Sequence, residues 1–252
     1  METILAARNL RKSYQAVEAV RGIDLSVNTG EVHAICGDNG AGKSTLVKMI
    51  SGAEPPDAGT IVLAGQQRSF GSPHAALTAG IATIYQELAV VPRMSIYQNI
   101  FLGSELQRRR CGIKFLDKKA MMRRARAYLR ELQSNVEDMR LPVEELSGGQ
   151  RQAVAISRAL RWQARVIILD EPTAALGVRE TEVVLDLIRQ LRERGTTVIL
   201  ISHNMNDVVA VADRVTILHT GRRVATIAAN QVTADALATM IRSGQIDQTQ
   251  AA

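Results

Sequence analysis

The chain has 252 residues, of which 46% are hydrophobic, and it carries a formal net charge of +6. This length and composition can bury a full core, so we expect one domain with room for an inserted lobe. No stretch approaches the roughly 20 uninterrupted apolar residues of a membrane-spanning helix, and we expect no signal peptide because a basic region followed by an apolar run is missing near Met1.

The first predicted zone alternates short strands with turns, from Thr3 to about Tyr85. Glycines between the apolar runs mark the turns. The predicted strands are Ile4–Leu10, Glu18–Val27, Glu31–Cys36, Thr60–Leu63 and Ile81–Tyr85. Cys36, at the end of the third strand, is expected to act as a small buried hydrophobe, with a redox switch as the less favoured alternative.

A complete phosphate-binding loop follows the third strand and precedes an apolar helix. Its glycines allow successive backbone N–H groups to point at phosphate oxygens, and the helix adds the positive end of its dipole. In this loop Lys43 supplies a cation for the β- and γ-phosphates, and Ser44 supplies a hydroxyl for Mg²⁺. A glycine-rich turn is the alternative, but the strand–loop–helix context favours a nucleoside triphosphate site. The loop residues are Gly37, Asp38, Asn39, Gly40, Ala41, Gly42, Lys43, Ser44 and Thr45.

From about Leu88 to Trp162 the pattern becomes helical, as in Lys118–Leu132. Within this zone, the run Leu146-Ser147-Gly148-Gly149-Gln150 makes Ser147 the expected N-cap of a helix, Gln150–Leu160. Such a helix start is a second potential phosphate site, although an ordinary capped helix has the same pattern. We therefore predict a helical insertion over residues 88–162.

The basic excess lies largely in two arginine clusters, Arg108–Arg110 and Arg123–Arg126. Such runs are usually solvated faces or contacts for phosphates and acidic partners. We expect no nucleic-acid partner.

Strands and helices alternate again from Arg165 onward, which indicates a mainly parallel sheet covered on both faces. We therefore predict a single α/β domain, residues 1–252, whose core comprises residues 1–87 and 163–252. The predicted strands here are Arg165–Asp170, Thr196–Ser202 and Arg214–Leu218, and the predicted helices are Val178–Arg194 and Asn204–Val211.

Two carboxylates follow the apolar strand that begins at Val166. Because side chains alternate along a strand, Asp170 and Glu171 point to different places. One carboxylate can therefore reach Mg²⁺ while the other polarises a water molecule, as a hydrolase requires. An acidic turn is the alternative, which the phosphate loop upstream makes less favourable.

The order of these motifs resembles the nucleotide-binding domain of ABC transporters, over roughly Leu5 to Met240. The motifs that carry the resemblance are the phosphate loop, Gln86 in Ile84–Glu87, Leu146–Gln150, Asp170–Glu171 and His203 in Ile201–His203. The resemblance implies the ATPase fold of that family, with an antiparallel β part beside the parallel sheet. It also implies ATP and Mg²⁺ as ligands, and two paired domains. Each ATP would lie between the loop of one chain and Ser147, Gly148, Gly149 and Gln150 of the other.

The resemblance further implies roles for single residues. Tyr14 would stack on adenine, with a packed surface tyrosine as the alternative. Catalytic roles fall to Lys43, Gln86, Glu171 and His203, and Mg²⁺ ligands would be Ser44, Gln86 and Asp170. In this assignment Glu171 is the general base, His203 contacts the γ-phosphate and Gln86 senses Mg²⁺. Gly177 stands where many members have aspartate, which leaves the coupling between the two ATP sites open.

Two further stretches, Ser72–Leu88 and Val91–Gly103, resemble the bacterial importers of monosaccharides such as ribose, xylose and fructose. The resemblance implies an ATPase at the cytoplasmic face of the inner membrane that works with a permease and, indirectly, an external sugar-binding protein. One phosphate loop requires pairing with a second ATP-binding domain, and a homodimer is the simpler expectation. An ATPase of another transporter, or one linked to nucleic acid or ribosomes, is the alternative.

Overall fold

The computed structural model of the protein describes residues 2–110, 113–174 and 176–245. Its strands, in chain order, are β1 (Thr3–Tyr14), β2 (Val17–Asn28), β3 (Val32–Cys36), β4 (Ala58–Leu63), β5 (Gln66–Arg68), β6 (Ile81–Ile84), β7 (Gln107–Arg110), β8 (Ile113–Leu116), β9 (Val166–Asp170), β10 (Thr197–Ile201), β11 (Arg214–His219) and β12 (Arg222–Ala228). Its α-helices are α1 (Lys43–Ile50), α2 (Pro73–Ala79), α3 (Ile96–Phe101), α4 (Lys118–Glu131), α5 (Gly148–Arg161), α6 (Val178–Glu193), α7 (Met205–Val211) and α8 (Ala234–Ser243).

A six-stranded sheet in the order β12-β11-β3-β10-β9-β6 forms the centre of the molecule. Five of these strands run parallel, and β12 at the edge pairs antiparallel with β11. Alternate residues of β9 face opposite sides of the sheet. Ile167 and Leu169 belong to a core shared with α3 to α6, whereas Val166 and Ile168 belong to one shared with α1 and the N-terminal strands. The predicted sheet with both faces covered is therefore confirmed.

A second, four-stranded antiparallel sheet in the order β2-β1-β4-β5 packs on the other side of α1. Leu5 and Leu10 of β1 and Ile23 of β2 are fully buried in one cluster with Leu46 and Ile50 of α1. The expected antiparallel β part is thus present, and its first two strands are longer than the apolar runs predicted. They extend past the core because a strand ladder continues wherever backbone groups find partners, whether or not the side chains are buried.

The middle segment, predicted to be helical over residues 88–162, contains an antiparallel hairpin of β7 and β8. The prediction was wrong there because arginine and leucine favour helices, while β-formers such as Ile113 and Phe115 alternate with polar residues and favour strands. Asp117 then caps α4, its carboxylate accepting from the Ala120 amide at 2.9 Å. The rest of the segment is built on α3, α4 and α5, and its limits as a subdomain stay a prediction.

The parallel strands place the predicted motifs at one edge of the sheet. Ile201 at the end of β10 is in register with Asp170 on one side and Ile35 on the other. The carboxyl ends of β3, β6, β9 and β10 therefore lie side by side, where open α/β sheets bind their ligands. Within the described residues, none of the helices combines the length and the apolar character needed to cross a bilayer.

Candidate functional site

The phosphate loop runs from the end of β3 to the start of α1, as predicted. Gly42 is the N-cap of α1 with φ of 98°, and a Cβ atom there would lie 2.7 Å from the Ala19 carbonyl oxygen. Only glycine meets both the conformational and the steric requirement. No side chain within the described residues caps this helix start, so its amides are left for an anion.

Lys43 begins α1 and folds back over the loop. Its Nζ donates to the Gly37 carbonyl oxygen at 2.6 Å and to that of Asp38 at 3.0 Å. The ammonium group is thus held inside the curve of the loop, where a phosphate would sit. Ser44, the next residue, is exposed at the mouth of the loop.

Asp170 ends β9 and lies close to both Lys43 and Glu171. Burial and the negative charge of Glu171 raise the pKa of Asp170, and the positive charge of Lys43 opposes this. Two carboxylates near one ammonium group leave a surplus of negative charge in a half-buried site. A bound cation would relieve that surplus, which fits a metal-binding role for Asp170.

Glu171 is joined to His203 by a hydrogen bond of 2.6 Å between Oε2 and Nδ1. The carboxylate is 15% exposed, whereas the imidazole is 71% exposed. Glu171 adopts φ of 50°, an uncommon left-handed conformation for a residue with a side chain. Its amide donates to the Ile201 carbonyl oxygen at 2.9 Å, which anchors this conformation to β10.

The segment Ser147–Gln150 forms the start of α5, and Ser147 is its N-cap as predicted. Ser147 Oγ accepts from the Gln150 amide at 3.3 Å, and Gln150 Oε1 accepts from the Ser147 amide at 3.0 Å. This is a capping box. The Gly148 amide donates to Glu180 Oε1 at 2.7 Å. Within the described residues Gly149 is then the first-turn amide of α5 without an acceptor.

A side chain on either glycine of this segment would require a neighbouring side chain, that of Leu176 or that of Val183, to shift. A Cβ atom on Gly148 would lie 2.4 Å from Leu176 Cδ2, and one on Gly149 would lie 3.0 Å from Val183 Cγ1. The start of α5 is therefore pressed against the start of α6. No hydrogen bond or ion pair of the described residues joins this segment to the phosphate loop of the same chain.

Tyr14 ends β1 and is 40% exposed. Its hydroxyl bonds to the Glu54 carboxylate, which also accepts from Lys48 Nζ at 3.0 Å. The hydrogen bond with Glu54, together with burial, raises the pKa of Tyr14, while Thr45 of the phosphate loop acts in the opposite direction. Tyr14 thus stands beside the loop, and its stacking on adenine stays a prediction.

Gln86 lies two residues beyond β6 and is exposed. Its position after that strand puts it at the same sheet edge as the carboxylates. No hydrogen bond of its side chain occurs within the part of the chain that the structure describes, so its roles toward Mg²⁺ and water stay predictions.

A cavity of about 300 Å³ opens between α2, β6 and α5, next to the chain that follows Gln86. Its wall is mainly apolar. At its side, Arg161 Cζ lies 4.5 Å from the ring centroid of the Trp162 indole. His74 meets the same indole edge-on, with ring centroids 5.8 Å apart. The lining residues include Leu77, Tyr85, Val90, Arg158 and Trp162.

Sequence reasoning missed two carboxylates that the structure brings to these sites, Glu54 beside Tyr14 and Glu180 beside Gly148. For Glu54 the sequence carries no signal. Glu180 shows only the ordinary preference for an acidic residue in the first turn of a helix. Which amide it reaches depends on how α6 packs on α5.

Comparison with known proteins agrees with this geometry. The family model described as ABC transporter matches residues 20–174. The xylose/arabinose import ATP-binding protein XylG of Sulfolobus acidocaldarius is 47% identical over 88% of this chain and 87% of its own. The fructose import ATP-binding protein FrcA of Rhizobium meliloti is 48% identical over 95% of this chain and 94% of its own. Among solved structures, a nucleotide-free ATP-binding cassette from an ABC transporter superposes with a TM-score of 0.79 at 25% identity, covering 98% of this chain and 97% of that one.

Proposed function

Because this chain belongs to the ABC transporter family, we propose that it is the ATP-hydrolysing subunit that energises import of a monosaccharide through a membrane permease. The observation that carries the ATPase activity is the Glu171–His203 pair, held at the same sheet edge as the phosphate loop. The two importer relatives, each similar over nearly its full length, support a small sugar as the transported substrate.

In the proposed reaction a water molecule attacks the γ-phosphate. Glu171 accepts a proton from that water, and His203 holds the carboxylate in place through the 2.6 Å hydrogen bond. Lys43, already bent over the loop, balances the negative charge that develops on the phosphate oxygens. The amides at the start of α1 bind the remaining phosphate oxygens.

The residues present fit a magnesium ion. Ser44 offers a hydroxyl and Asp170 a carboxylate whose neighbouring negative charge favours a cation, and Gln86 offers an amide oxygen at the same edge. These are the oxygen donors that Mg²⁺ prefers, together with phosphate oxygens. When bound, the ion supplies charge neutralisation between the β- and γ-phosphates.

We propose that two copies of the chain pair head to tail, so that Ser147–Gln150 of one copy closes on the ATP of the other. The Gly149 amide, which lacks an acceptor among the described residues, and the Ser147 hydroxyl would contact the γ-phosphate. Among the described residues no hydrogen bond or ion pair joins the Ser147–Gln150 segment to the phosphate loop of its own chain, and this supports closure by a partner.

The permease is proposed to dock at the groove lined by Tyr85, Val90, Arg158 and Trp162. The neighbouring loop is rigid enough to form a surface, because the buried Asn99 accepts from the Val91 amide at 2.7 Å and donates to the Met94 carbonyl oxygen at 3.0 Å. Docking there would place the protein at the cytoplasmic face of the inner membrane. The external sugar-binding protein would then act through the permease.

Uptake of radiolabelled xylose, fructose and ribose by cells lacking this chain would test the proposal. We expect loss of uptake of one monosaccharide, restored by the wild-type chain and by Glu182→Gln, a control with an exposed side chain, but not by Glu171→Gln. Unchanged uptake of all three sugars, alongside normal ATPase activity of the purified chain, would favour another transporter or a ribosome-linked role.

A further inference from the structure

The Glu180 carboxylate lies at the start of a helix other than its own. It belongs to the first turn of α6, yet its Oε1 accepts from the Gly148 amide in the first turn of α5 at 2.7 Å. An acidic side chain in a first turn ordinarily interacts with the amides of its own helix. Here it instead joins two helices whose starts are in contact.

This bond places a negative charge beside the segment that closes on the partner's ATP. Glu180 accepts the hydrogen bond of the Gly148 amide, and the acceptors of the capping box take those of the Ser147 and Gln150 amides. The Gly149 amide therefore stands next to a carboxylate. An incoming γ-phosphate would gain the amide but be repelled by Glu180, since both groups are anionic.

The same helix is connected directly to the catalytic carboxylate of its own chain. The loop after Glu171 leads into α6 through Leu176, whose side chain fills the space that a Cβ atom on Gly148 would need. Gly177 offers no side chain, and no atom of the described residues beyond its chain neighbours lies within 4 Å of its Cβ position. Glu180 thus provides a charged contact between the start of α6, into which this loop leads, and the start of α5.

We propose that Glu180 is a positioning residue that couples the two ATP sites of the paired protein, an inference that rests on the head-to-tail pairing proposed above. Its hydrogen bond makes the Ser147–Gln150 segment follow α6, and so follow the loop behind Glu171. Its charge weakens the hold of that segment on the partner's γ-phosphate, which favours reopening after hydrolysis.

Two substitutions distinguish the effect of the Glu180–Gly148 hydrogen bond from the effect of the Glu180 charge. Glu180→Gln keeps an oxygen that can accept from the Gly148 amide and removes the charge, whereas Glu180→Ala removes both. Glu182→Gln is the matched control, because it removes a carboxylate from the same helix. The Glu182 side chain is 64% exposed and, among the described residues, forms an ion pair only with Arg189. The measurements are ATP half-saturation, kcat and the Hill coefficient of ATP hydrolysis, with ATP-dependent pairing followed by gel filtration.

For Glu180→Gln we expect a half-saturation concentration roughly 3- to 10-fold lower, from loss of one repulsive charge at short range, and an unchanged Hill coefficient. For Glu180→Ala we expect a Hill coefficient near 1 and a kcat lowered by roughly 10-fold, from loss of a hydrogen bond to a charged group. Binding of a fluorescent ATP analogue to the single chain should stay at the wild-type value for both variants.

Wild-type half-saturation and Hill coefficient in both Glu180 variants, in a protein that pairs with ATP, would overturn this inference alone. A wild-type protein that never pairs would overturn the pairing and this inference together.

Discussion

Glu171 and His203 stand 2.6 Å apart between Oε2 and Nδ1, and the His203 amide donates to the same carboxylate oxygen at 3.4 Å. The backbone amide and the imidazole of His203 thus both bind the Glu171 carboxylate. Glu171 in turn adopts a left-handed conformation fixed by its bond to Ile201. The carboxylate that we propose as the base is therefore oriented before substrate arrives, which would lower the cost of reaching the reactive geometry.

Replacement of Glu171 by Gln should abolish turnover while leaving ATP binding intact. The amide cannot accept a proton from water, and loss of a general base lowers rates by roughly 10²- to 10⁴-fold. His203→Ala should lower kcat by a smaller factor, since Glu171 remains but loses its partner. Steady-state phosphate release and equilibrium binding of ATP measure the two effects. Turnover within a factor of two of wild type in Glu171→Gln would contradict the assignment of Glu171 as base.

Substitution of Gly148 by Ala should destabilise the protein by about 1 kcal/mol, the lower end of the cost of overpacking, because the atoms in contact are the ends of side chains that can turn aside. The new Cβ atom would lie 2.4 Å from Leu176 Cδ2 and 3.2 Å from Glu180 Oε1. Gly71→Ala is the control, because in the part of the chain that the structure describes no atom beyond its chain neighbours lies within 4 Å of its Cβ position, and its effect should stay within about 0.5 kcal/mol. Urea unfolding of the three proteins checks this, and equal midpoints would show that Leu176 and Glu180 accommodate the methyl group without cost.

Glu31 should stabilise the protein at neutral pH and lose that effect in acid. Burial acts to raise its pKa, but the hydrogen bonds with His33 and from the Asn28 amide, both 2.9 Å, hold the pKa below its ordinary value. A carboxylate with a lowered folded-state pKa stabilises above its unfolded pKa, and the contribution disappears as pH falls through the folded value.

Glu31→Gln should therefore unfold about 2 kcal/mol more easily at pH 7, since a neutral amide replaces a buried carboxylate that accepts hydrogen bonds and lies 3.2 Å from Arg214 Nη1. Its unfolding free energy should also depend less on pH between about pH 5 and 3. Denaturant titrations at pH 7, 5, 4 and 3 provide both quantities. Parallel pH profiles for wild type and variant would show that Glu31 is not ionised in a favourable site.

Cys36 should be chemically inert in the folded protein. It is fully buried, and this burial raises the pKa of its thiol to about 12. At pH 8 the thiolate fraction is then about 10³-fold below that of an ordinary cysteine. Iodoacetamide labelling followed by peptide mass spectrometry should find Cys36 unmodified in the native state and modified in urea. Rapid native labelling would favour the redox alternative.

The ring of Tyr14, rather than its hydroxyl, should contribute to ATP binding. Tyr14→Phe removes the bond to Glu54 but keeps the ring, so ATP affinity should stay within about twofold of wild type. Tyr14→Ser removes the stacking surface, which is worth roughly 1 kcal/mol or more, and should weaken binding at least 5-fold. Displacement of a fluorescent nucleotide measures both. Unchanged affinity in Tyr14→Ser would leave Tyr14 as a packed surface tyrosine.

Local sequence pattern was sufficient for the phosphate loop, for the capped start of α5 at Ser147 and for the buried strand that leads to Asp170. Each of these depends on residues that are neighbours in the chain, through backbone conformation, capping and side-chain alternation. The parallel sheet followed from the alternation of strands and helices, and the family followed from the order of the motifs along the chain, whereas the order of the strands within the sheet was given only by the structure. The hairpin of β7 and β8 did not follow from the sequence, because its arginines favour the wrong element.

Contacts between residues far apart in the chain were decided only by the tertiary structure. The bond of Glu180 to Gly148 spans 32 residues and exists because α6 packs against α5. The bond of Tyr14 to Glu54 spans 40 residues and joins the end of β1 to the turn that follows α1. Sequence alone determined which chemistry this protein carries. The packing of helices and sheets decided which charges meet, because the distance between two side chains is set by every element between them.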